Sequence, residues 1–343
     1  MTQTASVLVA ILNFNTKGFL EKFIPAVKAS TYSNYEILLI DNGSSDDSLS
    51  FMRSHHADVR IKALQKNLGF AGGYVAGLQD ETADYFVLLN TDVEVPPHWI
   101  EPVVSAMELD ENIAAAQPKI LSYNEAHLFE YAGAAGGLMD IFAYPFCQGR
   151  LFNHCEKDNG QYNQQREIFW ASGAALFIKS KYWLKSGGLD VDFFAHMEEI
   201  DLCWRLKNMG YKVIYVPDSR VYHVGGGTLA RENPRKTELN FRNALICMVK
   251  NMSWQELIWK TPIKLVLDGL GGFLFLLKGQ WRSTLAIIKA HFAFHGRLWY
   301  WLKKRKQVER IKHPNNAGRY RGSVVYAYFI KKRTLVSDLK WKY

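Results

Sequence analysis

Apolar residues along this chain follow two rhythms. Residues 6–12 and 35–40 are compact Val, Ile and Leu runs that each end in polar residues, and residues 17–29 between them place apolar side chains at helical spacing. That order predicts two parallel strands joined by a crossover helix. Residues 85–89 repeat the strand pattern and stop at Asn90, and residues 170–179, WASGAALFIK, read as another strand with small residues at its start. Further on, a short amphipathic helix opens on Glu198, Glu199 and Asp201, carries Leu202, Leu206 and Met209 on one face, and ends at Gly210, where a left-handed cap is expected. A strand over 212–216, a turn at Pro217 and a lone His223 follow. Beyond residue 236 the period is helical, over 237–251, 254–275 and 280–304. The pattern predicts an α/β unit with a mostly parallel sheet between helices, over 1–235, and a basic, amphipathic helical region over 236–343.

Parallel sheets bind ligands beyond the carboxyl ends of their strands, which directs attention to Asn13, Phe14, Asn15 and Asp41. A carboxylate at Asp41 suits the ring N–H of uracil or thymine, and Phe14 could lie against the base; the alternative is a turn and helix cap built from DNGSSDD. Residues 66–77, KNLGFAGGYVAG, form a glycine-rich loop entering a helix, and Asn67, Gly69, Gly72 and Gly73 leave room for a diphosphate. The spacing fits neither a P-loop nor a dinucleotide fingerprint. Asn90, Thr91 and Asp92 close the next strand, where a carboxylate beside a diphosphate suits Mg²⁺ or Mn²⁺; the bland reading is a solvated turn before Pro96. Glu198 and Glu199 exceed what helix capping needs, whereas Asp201 fits a dipole partner that pairs Arg205 one turn on.

These motifs, taken together over residues 6–228, resemble glycosyltransferase family two, the GT-A fold, and its rhamnosyltransferase-like members in particular. The carriers are Asp41 to Ser44, the NLGFAGG run from Asn67, Asn90 with Asp92, and Glu198, Glu199, Asp201, Arg205, Gly210, Tyr211, Pro217 and His223. The resemblance implies a nucleotide-sugar half over 1–100 and an acceptor half over 101–235. It implies an inverting hexosyl transfer from a nucleoside diphosphate sugar, dTDP-rhamnose-like or UDP-hexose, to a glycan or lipid-linked acceptor in cell-surface polysaccharide synthesis. Glu199, with Glu198 beside it, takes the place of the catalytic base, Asp92 and His223 that of the divalent-metal ligands, and Trp170, Gly173 and Glu198 border the acceptor. Trp170 is equally readable as a core residue, and a lone His223 as structural. Three departures, Asn90 and Glu199 in places usually held by Asp and Val75 in place of Asn, are the support for a rival reading, a catalytically silent glycan- or lipid-binding scaffold.

Charge adds a partner. The chain of 343 residues carries a formal +9, concentrated between Lys303 and Arg333. No zinc-finger or RNA-binding signature accompanies it, so an anionic membrane surface is the expected partner rather than nucleic acid. The late helices bear Trp254, Trp259, Trp281, Trp299 and Trp301 beside Lys and Arg, which suits an interfacial helix; a hairpin packed on the catalytic unit, or a homo-oligomer contact, is the alternative. The apolar run 269–277 is shorter than the ~20 residues a bilayer span needs. Cys147, Cys155, Cys203 and Cys247 show no paired framework, and residues 1–15 read as a buried strand rather than an export signal, so a cytoplasmic, membrane-peripheral protein is expected.

Overall fold

The computed structural model describes residues 4–225 and 233–339, so the last positions of the motif-bearing stretch, Gly226 to Thr228, lie outside the described residues. In chain order the first elements are β1 (Val7–Asn13), α1 (Lys17–Lys28), β2 (Tyr35–Asp41), α2 (Ser48–His55), β3 (Arg60–Ala63), α3 (Gly69–Leu78), β4 (Tyr85–Asn90), β5 (Val93–Glu94), α4 (Glu101–Glu108) and β6 (Ile113–Ser122). Four short strands follow, β7 (Gly137–Met139), β8 (Pro145–Cys147), β9 (Arg150–Leu151) and β10 (His154–Cys155). Then come β11 (Arg166–Glu167), β12 (Ala175–Lys179), α5 (Ser180–Ser186), α6 (Glu198–Asn208) and β13 (Lys212–His223). Helices α7 (Pro234–Asn251), α8 (Trp254–Leu277), α9 (Trp281–His295) and α10 (Leu298–Arg305) lie towards the carboxyl terminus.

The main sheet runs β3-β2-β1-β4-β12-β6-β13-β11, with β5 alongside the end of β13. Strands β1, β2, β3, β4, β6 and β13 share one direction, and β5, β11 and β12 oppose it. This is the mostly parallel sheet expected. Side chains alternate across it: Leu8, Ala10, Leu38, Ile40 and Leu88 join Tyr74 and Trp183 in one core, while Val7, Val9, Ile11, Leu39, Val87 and Leu89 join Ile24, Trp99 and Met107 in the other. Burial on both faces explains why these strands read as unbroken apolar runs. A four-stranded antiparallel sheet, β7 to β10, occupies part of the glycine-rich and polar stretch between β6 and β11.

Three boundaries differ from the sequence reading. The strand expected over 170–179 starts only at Ala175, because Gly173 and Ala174 form a turn before it. Strand β13 does not stop at Pro217 but continues to His223; a register shift between Val216 and Arg220 carries the proline, which has no N–H to give a ladder. The helix expected over 280–304 breaks into α9 and α10 around Gly296. Helix α7 packs into the same core as the sheet, through Leu245, Ile246, Cys247 and Met248. All four cysteines are free.

Candidate active site

Strand register gathers the candidate residues at one edge. Asn13 stands opposite Asp41 and Leu12 opposite Asn90, so β1, β2 and β4 end side by side. The Asp41 carboxylate is buried and accepts from Asn13 Nδ2 at 2.8 Å and from the Ser44 backbone N–H at 3.0 Å. Asn15, held at φ 53°, accepts from the Ser45 N–H at 2.7 Å, and Phe14 is half-buried beside it. Asn42 ties this edge to the glycine loop: its Nδ2 donates to Asn67 Oδ1 at 3.1 Å and to the Gly69 carbonyl at 3.0 Å.

The glycines of α3 have tight neighbours within the protein. Gly69, at φ 76°, lies where a Cβ would come within 2.5 Å of the Phe194 ring and carbonyl, and Gly73 faces Leu12 and Asn42. Gly72 is nearest Leu68. The loop therefore seats α3 against the strand ends and against residues 190–197. Those residues are themselves unusual: Phe194, His196 and Met197 all adopt positive φ, a conformation that costs L residues energy and persists only when neighbours fix it. The fixing group is Asn243 of α7, whose Nδ2 lies 3.0 Å from the Phe193 and Ala195 carbonyls and 2.7 Å from that of His196.

Met197, in the left-handed region, turns the chain sharply into α6, so the first residues of that helix are Glu198 and Glu199. Glu198 is buried and Glu199 half-buried, and Oε2 of each is enclosed without a hydrogen-bond partner. Desolvation, with the neighbouring Glu199 and then Asp201 adding to it, raises the Glu198 carboxyl well above its usual range. Desolvation pushes Glu199 up to about 7, against the backbone N–H groups that favour its charged form. Asp201 differs in kind. Burial would raise it, but Lys250 and Arg205 outweigh that and hold it low, with Arg205 Nε at 2.8 Å as the spacing predicts.

Gly173 links this helix to the sheet edge. A Cβ there would sit 3.1 Å from the Phe70 ring and 3.9 Å from Glu199 Cβ, and the adjacent Ala174 carbonyl accepts from the Asn90 N–H at 3.0 Å. Trp170, in contrast, is 4% exposed, donates its indole N–H to the Leu138 carbonyl at 2.9 Å and packs against Gly137. Of its two readings, the core side chain is the one the structure displays, because its polar atom and ring are already used.

Asp92 and His223 meet because β5 pairs antiparallel with the end of β13, Val93 opposite His223. His223 Nε2 lies 3.1 Å from Asp92 Oδ1, and Nδ1 lies 3.2 Å from Glu130 Oε2. Burial would lower the imidazole pKa, but Glu130 and Asp92 together raise it to about 10. The Asp92 carboxyl, raised by burial, is brought below its usual range by His223. Thr91 Oγ1 accepts from Thr16 at 3.0 Å close by.

A hard divalent cation fits the Asp92 and His223 pair as a two-residue half-site. Carboxylate oxygen and imidazole Nε2 face one another, and Glu130 stands behind Nδ1 as ligating histidines commonly require. Among the described residues no group of three or more His, Cys, Asp or Glu is arranged to hold a metal by itself, so further ligands would come from a bound diphosphate and water. A polar cavity of about 480 Å³ lies elsewhere, lined by Ser6, Asp84, Glu108, Lys179 and Lys181 at the opposite edge of the sheet. It is far from every strand end named above.

Sequence reasoning missed Glu130, Phe70 and Asn243. Phe70 was signalled by its place inside the glycine run, but Glu130 and Asn243 lie in stretches with no motif and act only through folded proximity.

An α/β sheet with amides and carboxylates at its carboxyl edge, a glycine-led helix and an acidic helix start defines a nucleotide-sugar transferase architecture. Residues 8–168 match the model of Glycosyl transferase family 2. The chain is 23% identical over 278 residues to N-acetylglucosaminyl-diphospho-decaprenol L-rhamnosyltransferase of Mycobacterium tuberculosis, covering 76% of this chain and 89% of that protein. It is 32% identical over 157 residues to an uncharacterized glycosyltransferase of Haemophilus influenzae, covering 43% and 47%. Among solved structures, GalNAc-T7 with UDP, GalNAc and Mn²⁺ shares the fold at TM-score 0.56 and 16% identity, over 73% of this chain and 48% of that one. The mannosyltransferase PcManGT of Pyrobaculum calidifontis, in complex with GDP-Man and Mn²⁺, shares it at TM-score 0.52 and 14% identity, over 90% and 86%. The matched residues, just under half of the chain, and the shared fold are those of a glycosyltransferase that moves a sugar from a nucleotide sugar.

Proposed function

We propose that the protein transfers a sugar, with inversion, from a dTDP-rhamnose-like or UDP-hexose donor to a lipid-linked or glycan acceptor in cell-surface polysaccharide synthesis at the cytoplasmic face of a membrane. The observation that carries the chemistry is Glu199: a carboxylate with an unpartnered, enclosed Oε2 and a pKa pushed up to about 7, beside Gly173 and Phe70. A general base works best with a pKa near the working pH. In this reading Glu199 takes the proton of the acceptor hydroxyl, that oxygen bonds to the anomeric carbon from the face opposite the leaving group, and the carbon–oxygen bond to the nucleoside diphosphate breaks. Glu198, whose carboxyl burial and then Glu199 raise well above its usual range, opposes a second charge beside its neighbour. Asp41 and Phe14 read the base, Asn13, Asn15, Asn67, Asn90 and Thr91 line the donor, and Gly69, Gly72 and Gly73 let α3 pack close to that edge.

Asp92 and His223 would hold the divalent cation, which when bound neutralises charge on the diphosphate. His223 must give up its proton to serve, and Glu130 is placed to keep its ring oriented. Support for a lipid-linked acceptor and a deoxyhexose is the decaprenol-linked rhamnosyl transfer for which the mycobacterial relative is named.

The test is a transfer assay with dTDP-rhamnose, UDP-glucose and UDP-N-acetylglucosamine against polyprenyl diphosphate-linked N-acetylglucosamine, with Mn²⁺ or EDTA. Glu199→Gln keeps shape but cannot accept a proton, so turnover should fall ~10²-fold or more while donor affinity holds. If Glu198→Gln proves the more severe, the base is Glu198. Absence of both donor hydrolysis and transfer across the panel would favour the silent scaffold.

A further inference from the structure

Helix α8 is built inside out. Its inward face carries Lys260, Lys264 and Asp268, all buried, with Leu257 and Gly272. Lys264 Nζ reaches Asp268 Oδ1 at 2.5 Å and lies over the Tyr144 ring at 4.2 Å, Tyr144 donates its hydroxyl to Asp268 at 2.9 Å, and His291 of α9 stands 3.4 Å from the same carboxylate. The opposite face presents Trp259, Ile263, Val266, Leu270, Phe273 and Leu277 to the outside, each at least 39% exposed. Their spacing alternates four and three residues, which at 3.6 residues per turn is a single stripe. A helix packed on a protein in water normally turns these faces the other way.

Helix α9 continues the stripe. It is joined to α8 by a tight turn at Gly279, φ 73°, and by Thr284 Oγ1 donating to the Gly272 carbonyl at 2.8 Å. Trp281, Leu285, Ile288 and Phe292 recur at the same spacing and are 43% to 77% exposed. Trp299, 84% exposed, follows at the start of α10. Such an area of contiguous exposed apolar side chains is far larger than scattered surface residues produce, and it marks a contact site.

Charge decides the occupant. Between residues 257 and 308 the sole carboxylate is Asp268, which is buried and paired, whereas Lys278, Arg282, Lys289, Lys303 and Lys306 are exposed. Arg282 and Lys289 stand about a quarter turn from the α9 stripe, by the 3.6-residue period. A second copy meeting this face about a two-fold axis would set cations against cations with no acid to answer them. Anionic headgroups at the rim of an apolar layer answer both features. No helix among the described residues is long and apolar enough to cross a membrane, so the hairpin would lie along the surface.

We propose that the outward stripe of α8 and α9, with Trp299, is a membrane-docking face that inserts its apolar side chains at the headgroup boundary of an anionic bilayer. This deepens the lipid-linked acceptor reading by naming the surface, but its geometry does not depend on that acceptor. The experiment uses the full chain and extruded vesicles of phosphatidylcholine, alone or with phosphatidylglycerol, in a sedimentation assay. Wild type should bind the anionic vesicles and release in high salt. Phe273→Glu with Phe292→Glu, both at exposed positions, should weaken binding by on the order of 10²-fold while circular dichroism and donor hydrolysis stay unchanged. Arg282→Gln with Lys289→Gln should weaken binding to anionic vesicles by roughly tenfold or more and leave neutral vesicles unaffected. No vesicle binding by wild type overturns the proposal, and so does a lipid-free dimer that the Phe variant splits while vesicle binding persists. If vesicle binding follows these expectations but lipid-linked acceptors are not glycosylated, docking stands and the acceptor reading falls.

Discussion

Lys250→Met removes one charge from the cluster that clamps the loop before the proposed base, Glu199. Lys250 is 3% exposed, and its ammonium lies 2.6 Å from Asp190 and 2.8 Å from Asp201. Both carboxylates would be raised by burial, yet Lys250, aided by Lys304 at Asp190 and by Arg205 at Asp201, holds each below the usual range. Breaking a buried pair by deleting one partner typically costs about 3–5 kcal/mol. Here each acid keeps a second cation, Lys304 at 2.5 Å and Arg205 at 2.8 Å, and methionine keeps most of the stem packed near Phe193. The expected loss is therefore smaller, about 2–3 kcal/mol. With unfolding entropy near 2.1 cal/mol/K per residue over this length, that corresponds to a melting point lowered by roughly 3–4 °C, read by calorimetry at pH 7. The pH dependence has a definite sign. Asp groups with depressed folded pKa values stabilise above their unfolded value, ~3.9, and lose that contribution as pH falls through the folded value. The gap between wild type and variant should thus be full at neutral pH and shrink on acidification below about pH 4. A shift under about 1 °C at pH 7, or a gap that stays constant into acid, would refute the clamp.

Other expectations follow from the same geometry. With Glu199 as the proposed base, whose pKa burial pushes up to about 7, the transfer rate should fall as pH drops below that value; a kcat profile flat over roughly the two units below it speaks against the proposal. Asp92→Ala should abolish the Mn²⁺ dependence of donor binding in a thermal-shift titration, and unchanged dependence removes Asp92 from the metal site. Gly69→Ala should destabilise and slow turnover together, since a Cβ meets Phe194 at 2.5 Å in a backbone region that disfavours alanine; wild-type melting and activity would show that the loop simply moves aside.

How much of this was legible depended on how local the signal was. The ends of β1, β2 and β4 were visible because each is an apolar run stopped by Asn13, Asp41 or Asn90, and burial on both faces is written in consecutive residues. The acidic start of α6 and its Asp201–Arg205 pair were visible for the same reason, as neighbours within one helical turn. Glu130 was not, because its contact with His223 joins positions far apart in sequence through a loop without a pattern. Asn243 was invisible too: a polar residue in a helix reads as a solvated face, and only the fold shows it buried against three carbonyls. The strand expected at Trp170 failed because small residues suit a turn as well as a strand, and tertiary contacts chose the turn.

Helix α8 shows why direction matters more than amphipathicity. Its periodicity gives a polar and an apolar face but not which one meets the protein. The structure places Lys260, Lys264 and Asp268 inward, where Glu256 pairs with Lys260 while Lys264, Tyr144 and His291 meet Asp268, and leaves the Trp259, Ile263, Val266, Leu270, Phe273 and Leu277 stripe outward. Neighbouring α10 and α7 meanwhile hold the loop before Glu198, through Lys304 on Asp190, Tyr300 on Asp192 at 2.6 Å and Asn243 on three carbonyls. The helices that flank the apolar stripe thus also fix the entry to the acidic helix. A surface bound to that stripe would set the height of Glu199 above it through protein contacts alone, without a separate tether.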